Sequence, residues 1–382
     1  MTDSPSRTPA RPRRERVTRF LFALVDAPVV AAVAIGLAAA LLHPRWFWWA
    51  QLVAIGLPYA ASVLALTTLG AMLLRWRGLL VVHAVLLALV LVRADVPSRL
   101  ASPTPGPDTL HLTTFNLPQT GPSQESLRDS AAAFAQSVAP DLLLLQDTWV
   151  SHELVNHEEA VHVAAILARA PYELAIPDTL QSLEERSRPE IGVPVLVRRG
   201  RGIEVVEQEG IVPDGGSDMS IALRSHLRWE GREFVLYNLH LRSFGPTKPW
   251  EDPEVIWNRP STWGRYLRQY RRVYAQRASE AEQIGARIAE ETLPVIVAGD
   301  FNSTADNWSA RHLRHAGVRR EDAFHHGAGL GWGGTYHAAR PLVRIDHVYV
   351  DPAFEVASAH VMDVGFSDHR PVLTQLRWAS DG

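Results

Sequence analysis

Three long apolar runs, all within the first quarter of the chain, constrain the fold most strongly. Residues 20–42 and 47–74 are apolar over 23 and 28 positions, and each run exceeds the roughly 20 residues that cross a bilayer. A third run, 79–92, is shorter and contains His83. We expect a transmembrane region over 20–92, with three helices or, if the third run does not cross, with two.

Each transmembrane helix is expected near one of these runs, at about 20–42, 47–74 and 77–93. Two other interpretations of the apolar runs remain open. The first run has the position of a signal peptide, although a second apolar run follows it at once. The whole segment is also compatible with a buried helical domain.

The arginines predict how this region is oriented. A basic tail, residues 1–19, precedes the first run, whereas one arginine, Arg45, follows it, and Arg75 and Arg77 follow the second run. Because basic segments stay in the cytoplasm, three spans place the rest of the chain outside the cytoplasm and two keep it inside. We predict a multi-pass plasma-membrane protein with an extracytoplasmic C-terminal domain. The segment Trp46–Trp49 suits an interfacial aromatic belt.

Composition separates the membrane region from the rest of the chain. Residues 93–108 contain four prolines and are predicted to be a linker. Residues 1–108 carry 11 arginines and five acidic residues, a net charge of +6. Residues 109–382 therefore carry 27 basic and 36 acidic residues, a net charge of −9. An acidic domain disfavours a stable nucleic-acid partner, and the absence of cysteine excludes disulfides and thiolate chemistry.

Residues 109–382 alternate short apolar runs with a few helical segments. Strands are expected at 111–116, 142–147, 191–197, 203–207, 219–229, 233–240, 294–298, 345–350 and 371–377. Helices are expected at 126–138, 157–169 and 266–291. The pattern predicts an α/β domain in which two β-sheets pack together and are covered by helices.

Oxygen-bearing side chains end several of these strands. Asn116, Asp147 and Asp368 offer the hard ligands that Mg²⁺ prefers, and we predict them as metal ligands. Asp300 is predicted to orient or deprotonate an attacking water. Asn302, two residues on and therefore on the same side of an extended segment, is predicted to bind a phosphoryl oxygen.

Two histidines complete the predicted site. One of His240 and His369 is predicted to stabilise a pentacovalent phosphate, and the other to protonate the leaving oxygen. Asp346 is expected to orient His369. Glu190 is a weaker candidate for orienting His240, the alternative being a surface acid at a strand edge.

An unusual segment, residues 244–274, mixes aromatic residues with arginines. One interpretation is a covering helix with an aromatic core face and a solvated basic face. The other is a lip over the site that contacts substrate. Candidate substrate contacts are Arg242, Trp263 and, on a separate loop, Trp332.

The chain resembles the endonuclease/exonuclease/phosphatase superfamily over residues 109–382. That superfamily includes pancreatic-type deoxyribonucleases, apurinic endonucleases, neutral sphingomyelinases and inositol-polyphosphate phosphatases. The motifs that carry the resemblance are Thr114–Asn116, Pro140–Asp147, Asn238–His240, Gly299–Asn302, Arg344–His347 and Ser367–His369. The resemblance implies a four-layer α/β sandwich and Mg²⁺-dependent phosphoester hydrolysis.

One position departs from the superfamily pattern. Asp147 stands where the family has Glu, and the shorter side chain loses about 1.5 Å of reach, which makes Mn²⁺ or Ca²⁺ alternatives to Mg²⁺. We predict a membrane-anchored, metal-dependent phosphoesterase that acts on a mono- or diester or pyrophosphate bond of a lipid-linked substrate. Membrane-anchored bacterial members look most similar. The alternatives are an extracytoplasmic nuclease on DNA or RNA and a catalytically weakened binding or sensor domain.

Overall fold

The structure is a computed structural model with two parts, a helical bundle (residues 13–93) and a sandwich (residues 108–380). It describes residues 13–93, 108–117, 124–148, 161–175, 192–214, 221–245, 249, 252, 254, 259–327 and 333–380. Most of the predicted linker lies outside these ranges.

The bundle contains four helices rather than three. They are α1 (Arg13–Ala39), α2 (Pro44–Ile55), α3 (Leu57–Leu73) and α4 (Arg77–Arg93). The prediction of one helix over 47–74 is wrong, because α2 and α3 meet at Gly56 and are bent by 59°. Pro58, in the first turn of α3, lacks the N–H group that a continuous helix would need.

Length and composition limit which of these helices can cross a membrane. Residues 16–39 of α1 form one sufficiently long and apolar helix, and the bent pair α2–α3 adds a second if it is taken as one span. Helix α4 has 17 residues. The structure therefore supports one crossing helix, and the multi-pass arrangement stays a proposal.

In the part of the sandwich that the structure describes, the strands form two six-stranded mixed sheets, which confirms the predicted architecture. The first six strands are β1 (Leu110–Asn116), β2 (Leu142–Gln146), β3 (Tyr172–Leu174), β4 (Val195–Arg198), β5 (Ile203–Ile211) and β6 (Ile221–Trp229). The others are β7 (Arg232–His240), β8 (Val295–Asp300), β9 (Glu321–Asp322), β10 (Asp346–Val350), β11 (Phe354–Val361) and β12 (Val372–Trp378). The first sheet has the order β11-β12-β1-β2-β4-β3 and the second the order β5-β6-β7-β8-β10-β9.

Helices cover both outer faces of the paired sheets. They are α5 (Gln124–Val138), α6 (Val161–Arg169), α7 (Pro260–Glu290), α8 (Trp308–Arg314) and the short α9 (Ala323–Gly327). Leu144, Leu236 and Ile296 belong to the apolar core between the sheets. Separate apolar clusters join α5 and α6 to the first sheet and α7 and α8 to the second. The result is a four-layer α/β sandwich.

The structure corrects several predicted boundaries. Helix α7 begins at Pro260, six residues before the predicted start, because proline is well suited to the first turn of a helix. Strand β2 ends at Gln146, and Asp147 has a φ of +56°. Strands β3, β9 and β11 and helices α8 and α9 were not predicted. The bulge in β11 breaks its alternation, and the others are too short for a periodicity signal.

Strand pairing brings the predicted motifs to one edge of the sandwich. In the second sheet, β7 runs parallel to β8 and pairs His240 with Asp300, while β10 runs antiparallel to β8 and pairs Asp346 with Asp300. In the first sheet, β1 and β2 are parallel and Asn116 pairs with Gln146. The polar ends of the strands therefore meet.

Candidate active site

Asp300 is the centre of the candidate site. It ends β8 and is buried, and its Oδ2 accepts hydrogen bonds from Asn116 Nδ2 (3.0 Å) and Asn302 Nδ2 (3.1 Å). Its Oδ1 accepts the Asn302 backbone N–H at 2.7 Å. The preceding Gly299 has a φ of +136°, and a Cβ there would lie 2.0 Å from the Leu239 carbonyl oxygen. Only glycine permits this close approach of β7 and β8.

His369 and Asp346 form a buried pair beside Asp300. The Nδ1 of His369 lies 3.0 Å from Asp346 Oδ2, and its Nε2 lies 3.9 Å from Asp300 Oδ2. Burial alone would lower the pKa of His369, but the charges of Asp346 and Asp300 outweigh it and raise the pKa to about 10. The predicted pairing of Asp346 with His369 is therefore present in the geometry.

His240 approaches the same carboxylate from β7. Its Nε2 lies 3.6 Å from Asp300 Oδ2, and its side chain is 12% exposed. Oδ2 of Asp300 is thus surrounded by two amides and two imidazoles, which belong to four separate segments of the chain. The His240 side chain is more exposed than those of His369 (8%) and Asp300 (1%).

The predicted metal ligands line this cluster. Asn116 donates a hydrogen bond to Asp300. Burial is the main cause that raises the pKa of the Asp147 carboxyl. Asp147 is also close enough to Asp300 and Asp368 for their negative charges to raise this pKa, and the charge of Asp300 has the larger effect. The left-handed backbone at Asp147 is tolerated better by Asp than by longer side chains, which gives a local reason for Asp at this position.

The donor set fits a hard divalent cation. Ligand atoms of Asp300, Asp346 and His369 lie within 4.8 Å of one another and could hold a metal ion. Burial, and then the charge of Asp346, raise the pKa of Asp300. A bound dication would relieve this electrostatic cost. The tightest cluster differs from the predicted set of Asn116, Asp147 and Asp368, so the assignment of individual ligands stays a prediction.

A network of side-chain amides joins the two sheets below the cluster. Gln146 Nε2 donates to Asn238 Oδ1 (2.6 Å) and to Thr114 Oγ1 (3.0 Å). Asn238 Nδ2 donates to the carbonyl oxygens of Leu145 and Val193, both at 3.0 Å. The network fixes the spacing of the strands that carry Asn116 and His240. Sequence analysis gave Gln146 and Asn238 no role, although Asn238 precedes His240 by two residues on the same strand.

Arg277 was also missed by sequence analysis. This buried residue of α7 donates to the carbonyl oxygen of Arg242 at 2.6 Å (Nη2), and to the Asn302 carbonyl oxygen. Its guanidinium also lies over the Phe244 ring, with 4.8 Å between the guanidinium carbon and the ring centroid. Arg277 follows Tyr274 by three residues, so helical spacing could have assigned it to the aromatic face of α7.

The weaker predicted contacts have different outcomes. Arg242 lies two residues beyond His240, and its backbone N–H donates to Glu280 at 3.0 Å. Trp263 is half-buried in the first turns of α7. Trp332 and Glu190 lie outside the described residues. Tyr266 and Tyr274 are buried, which agrees with the first of the two interpretations of residues 244–274, a covering helix with an aromatic core face.

Two packed mixed sheets that bring carboxylates and imidazoles together at their strand ends define a metal-dependent ester hydrolase. A family model described as "Endonuclease/Exonuclease/phosphatase family" matches residues 114–369. The chain belongs to this family.

Solved structures share the fold at low sequence identity. A conserved protein of unknown function from Enterococcus faecalis is 14% identical, with a TM-score of 0.50 over 70% of this chain and 100% of that one. The human Nocturnin catalytic domain is 17% identical, with a TM-score of 0.49 over 72% and 97%. A mannosyl-6-phosphatase from Bacteroides thetaiotaomicron is 18% identical, with a TM-score of 0.48 over 70% and 100%. No curated protein matches the chain significantly.

Proposed function

We propose that this chain is a membrane-anchored phosphoesterase that depends on a divalent metal. Its substrate is proposed to be a lipid-linked phosphate mono- or diester or pyrophosphate. The observation that carries the reaction is the cluster of Asp300, Asp346 and His369, flanked by Asn116 and His240. Such a set provides a base, an acid and positive charge around a single reacting position.

Each side chain has a role that its surroundings favour. Asp300 orients the attacking water and takes its proton, and its raised pKa makes it a stronger base. His369, held by Asp346, carries positive charge toward the phosphoryl oxygens. Asn302 donates to a phosphoryl oxygen, and His240 gives a proton to the leaving oxygen as its bond to phosphorus breaks.

A bound Mg²⁺ or Mn²⁺ would neutralise charge on the phosphoryl oxygens. The predicted ligands Asn116, Asp147 and Asp368 would hold it, because a protonated His369 has no lone pair to offer a metal.

The apolar surface of the bundle supports membrane attachment. Side chains on α3 and α4 such as Leu66, Leu73 and Val92 are exposed by 67, 85 and 81%, whereas a protein in water rarely leaves such a continuous apolar surface uncovered. An enzyme held in a bilayer meets lipid-linked phosphates at high local concentration. We therefore favour a lipid substrate over a soluble one.

The arrangement of charges supports an extracytoplasmic site. Arg19 Nη2 donates to the Leu74 carbonyl oxygen at 2.7 Å, so the start of α1 and the α3–α4 turn, with Arg75 and Arg77, share one basic end of the bundle. The opposite end, near Ala39 and Gln51, contacts the sandwich. With the basic end in the cytoplasm, and with α1, α3 and α4 each crossing, the sandwich would lie outside.

A release assay tests the reaction. Full-length protein with Mg²⁺ or Mn²⁺ is offered a lipid pyrophosphate, sphingomyelin and plasmid DNA in separate reactions. We expect release of phosphate from the lipid pyrophosphate or of phosphocholine from sphingomyelin, and its loss in Asp300→Ala. Cleavage of DNA alone would replace the proposal with a nuclease, and no turnover with any metal would indicate a silent binding domain.

Protease protection tests the orientation. In intact cells, a protease added outside is expected to digest the sandwich. Digestion only after the membrane is opened would show that the sandwich faces the cytoplasm.

A further inference from the structure

The bundle and the sandwich are joined through a buried glutamine on α2. Gln51 Nε2 donates to the carbonyl oxygens of Ala39 (2.8 Å) and Leu42 (3.1 Å), where α1 ends. Its Oε1 accepts from the backbone N–H of Trp308 (2.9 Å) and from Asn307 Nδ2 (3.3 Å) in the sandwich. The amide NH₂ of this one buried side chain therefore donates to the bundle, and its carbonyl oxygen accepts from the sandwich.

Asn307 continues this connection toward the candidate site. Its Nδ2 also donates to the Gln51 carbonyl oxygen at 2.9 Å, and its Oδ1 accepts the Thr304 backbone N–H at 2.9 Å. Thr304 lies two residues after Asn302, which is bonded to Asp300. Gln51 thus holds the far end of the loop that carries the catalytic asparagine.

A second contact reaches the other loop of the site. The Tyr59 hydroxyl of α3 donates to the carbonyl oxygen of Leu342. Leu342 lies between Tyr336 and β10, and the Tyr336 ring is 4.9 Å from the His369 ring, centroid to centroid. Because β8 ends where the antiparallel β10 begins, both loops leave the same edge of the second sheet. The bundle therefore meets the sandwich at its catalytic edge.

The surfaces around this junction suit a membrane interface. On α2, Trp46 and Trp49 are exposed by 71 and 44%, and on the sandwich side Leu342 is exposed by 60%. Indole rings favour the headgroup level of a bilayer. The same short helix also packs against α7 of the sandwich. These features indicate that this face contacts the bilayer that holds the bundle.

We propose that Gln51 and Tyr59 are positioning residues that fix the catalytic edge to the membrane-embedded bundle. The enzyme would then be selective for phosphate esters presented at the headgroup level of its own membrane, over the same esters free in water. This inference rests on the proposed phosphoesterase function. The bonds of Asn302 to Asp300, Leu241 and Arg277 do not involve Gln51, so the chemistry itself should persist in a Gln51 variant.

The test compares two forms of one substrate. Full-length protein in phosphatidylcholine proteoliposomes is given a long-chain lipid pyrophosphate in the vesicles or a short-chain, water-soluble analogue. We expect Gln51→Leu to lower the ratio of kcat/KM for the vesicle substrate to that for the soluble one by about tenfold, since an effective-concentration advantage is lost. Tyr59→Phe should lower it by a smaller factor.

Matched controls keep the outcomes separate. Gln208→Leu removes another buried glutamine, bonded to Ser225 in the β5–β6 pair. Tyr172→Phe removes another tyrosine hydroxyl that donates to a backbone carbonyl oxygen, that of Pro140. Neither should change the ratio. Equal losses on both substrates in Gln51→Leu and Tyr59→Phe, or an unchanged ratio, would overturn the positioning role. Wild-type protein inactive on both substrates would instead overturn the proposed function.

Discussion

The helical bundle and the sandwich have opposite distributions of polarity. Of the 26 large apolar side chains that are exposed among the described residues, 21 lie between Val17 and Val92, although the bundle is much the shorter part. The bundle instead buries Asp26, Gln51 and His83. The sandwich has an apolar core, and its buried acids include Asp300 and Asp346 at the strand ends. The two parts are therefore built for different solvents.

The buried polar groups of the two parts also differ in purpose. In the bundle, His83 Nε2 lies 3.1 Å from Asp26 Oδ2 and its Nδ1 lies 3.1 Å from Thr68 Oγ1, so one imidazole joins three helices. In the sandwich, the charge of Asp346 raises the pKa of the already buried Asp300. The first arrangement pairs polar groups to hold helices together. The second places the carboxylates of Asp300 and Asp346 close together. Their repulsion costs stability, and such perturbed carboxyls are typical of functional sites.

Replacing Asp300 should produce the largest effect, and in activity rather than in stability. Asp300→Asn removes the proposed base, and we expect turnover to fall by about 10²–10⁴-fold. A carboxyl whose folded-state pKa is raised opposes folding when it is ionised, so the melting temperature should be unchanged or higher. Phosphate release and circular dichroism measure the two quantities.

Asp363→Asn is the control for this change, because Asp363 is an exposed acid paired with Arg370 Nη2 at 2.6 Å. It should leave both quantities near wild type. If Asp300→Asn lost stability but kept its turnover, the role of Asp300 would be structural. The sandwich and the bundle would then not differ in the purpose of their buried acids.

Arg277 should affect both stability and activity. Arg277→Met leaves the carbonyl oxygens of Arg242 and Asn302 without this donor, and each unsatisfied buried group costs about 1–3 kcal/mol. Turnover should also fall, because Asn302 loses one of its supports. Arg287→Met is the control on the same helix: Arg287 is half exposed and pairs with Glu209, so its loss should cost about 1 kcal/mol or less. Denaturant unfolding measures the stability cost of each of the two variants. Equal costs would contradict the assignment of Arg277 as a buried support of the site.

The buried pair of the bundle should behave in the opposite way to Asp300. His83→Leu leaves Asp26 buried without its imidazole partner and should cost about 1–2 kcal/mol of bundle stability, while turnover of a water-soluble substrate stays near wild type. The double change Asp26→Leu with His83→Leu should recover most of the loss, because apolar side chains need no partner. Unfolding in detergent, followed by tryptophan fluorescence, measures both. A double variant as unstable as the single one would refute the pairing argument.

The sequence was most informative where a side chain's role depends on local pattern. The strands that end at Asn116 and His240 could be predicted from apolar runs followed by polar residues, and the strand that ends at Asp300 was predicted with an end two residues too early. Strand pairing then brings the three ends together. Gln51 and Arg277 could not be predicted in the same way. Their partners, Asn307 and the Asn302 carbonyl oxygen, are distant in sequence and are specified only by packing of helices on the second sheet.

The break in the second apolar run shows the same limit. Hydropathy treats residues 47–74 as uniform, yet Gly56 and Pro58 divide them into α2, which packs against the sandwich, and α3, which stays in the bundle. The sequence predicts Trp46–Trp49 as an interfacial aromatic belt, but their position beside the sandwich depends on the bend between α2 and α3. A mean hydropathy taken over a fixed window of residues does not detect this 59° change in helix direction.

The exposed ion pair beside the junction should have the smallest effect. His43 Nε2 lies 3.1 Å from Glu282 Oε1, with 32 and 51% of the two side chains exposed, so water screens the interaction and Glu282→Gln should change stability by less than about 1 kcal/mol. The preference for vesicle over soluble substrate should also be unchanged, in contrast to Gln51→Leu. Both changes affect side chains that connect the bundle to the sandwich, and they differ in burial. A large effect of Glu282→Gln on the substrate ratio would mean that charge at the rim, rather than the buried amide of Gln51, holds the two parts together.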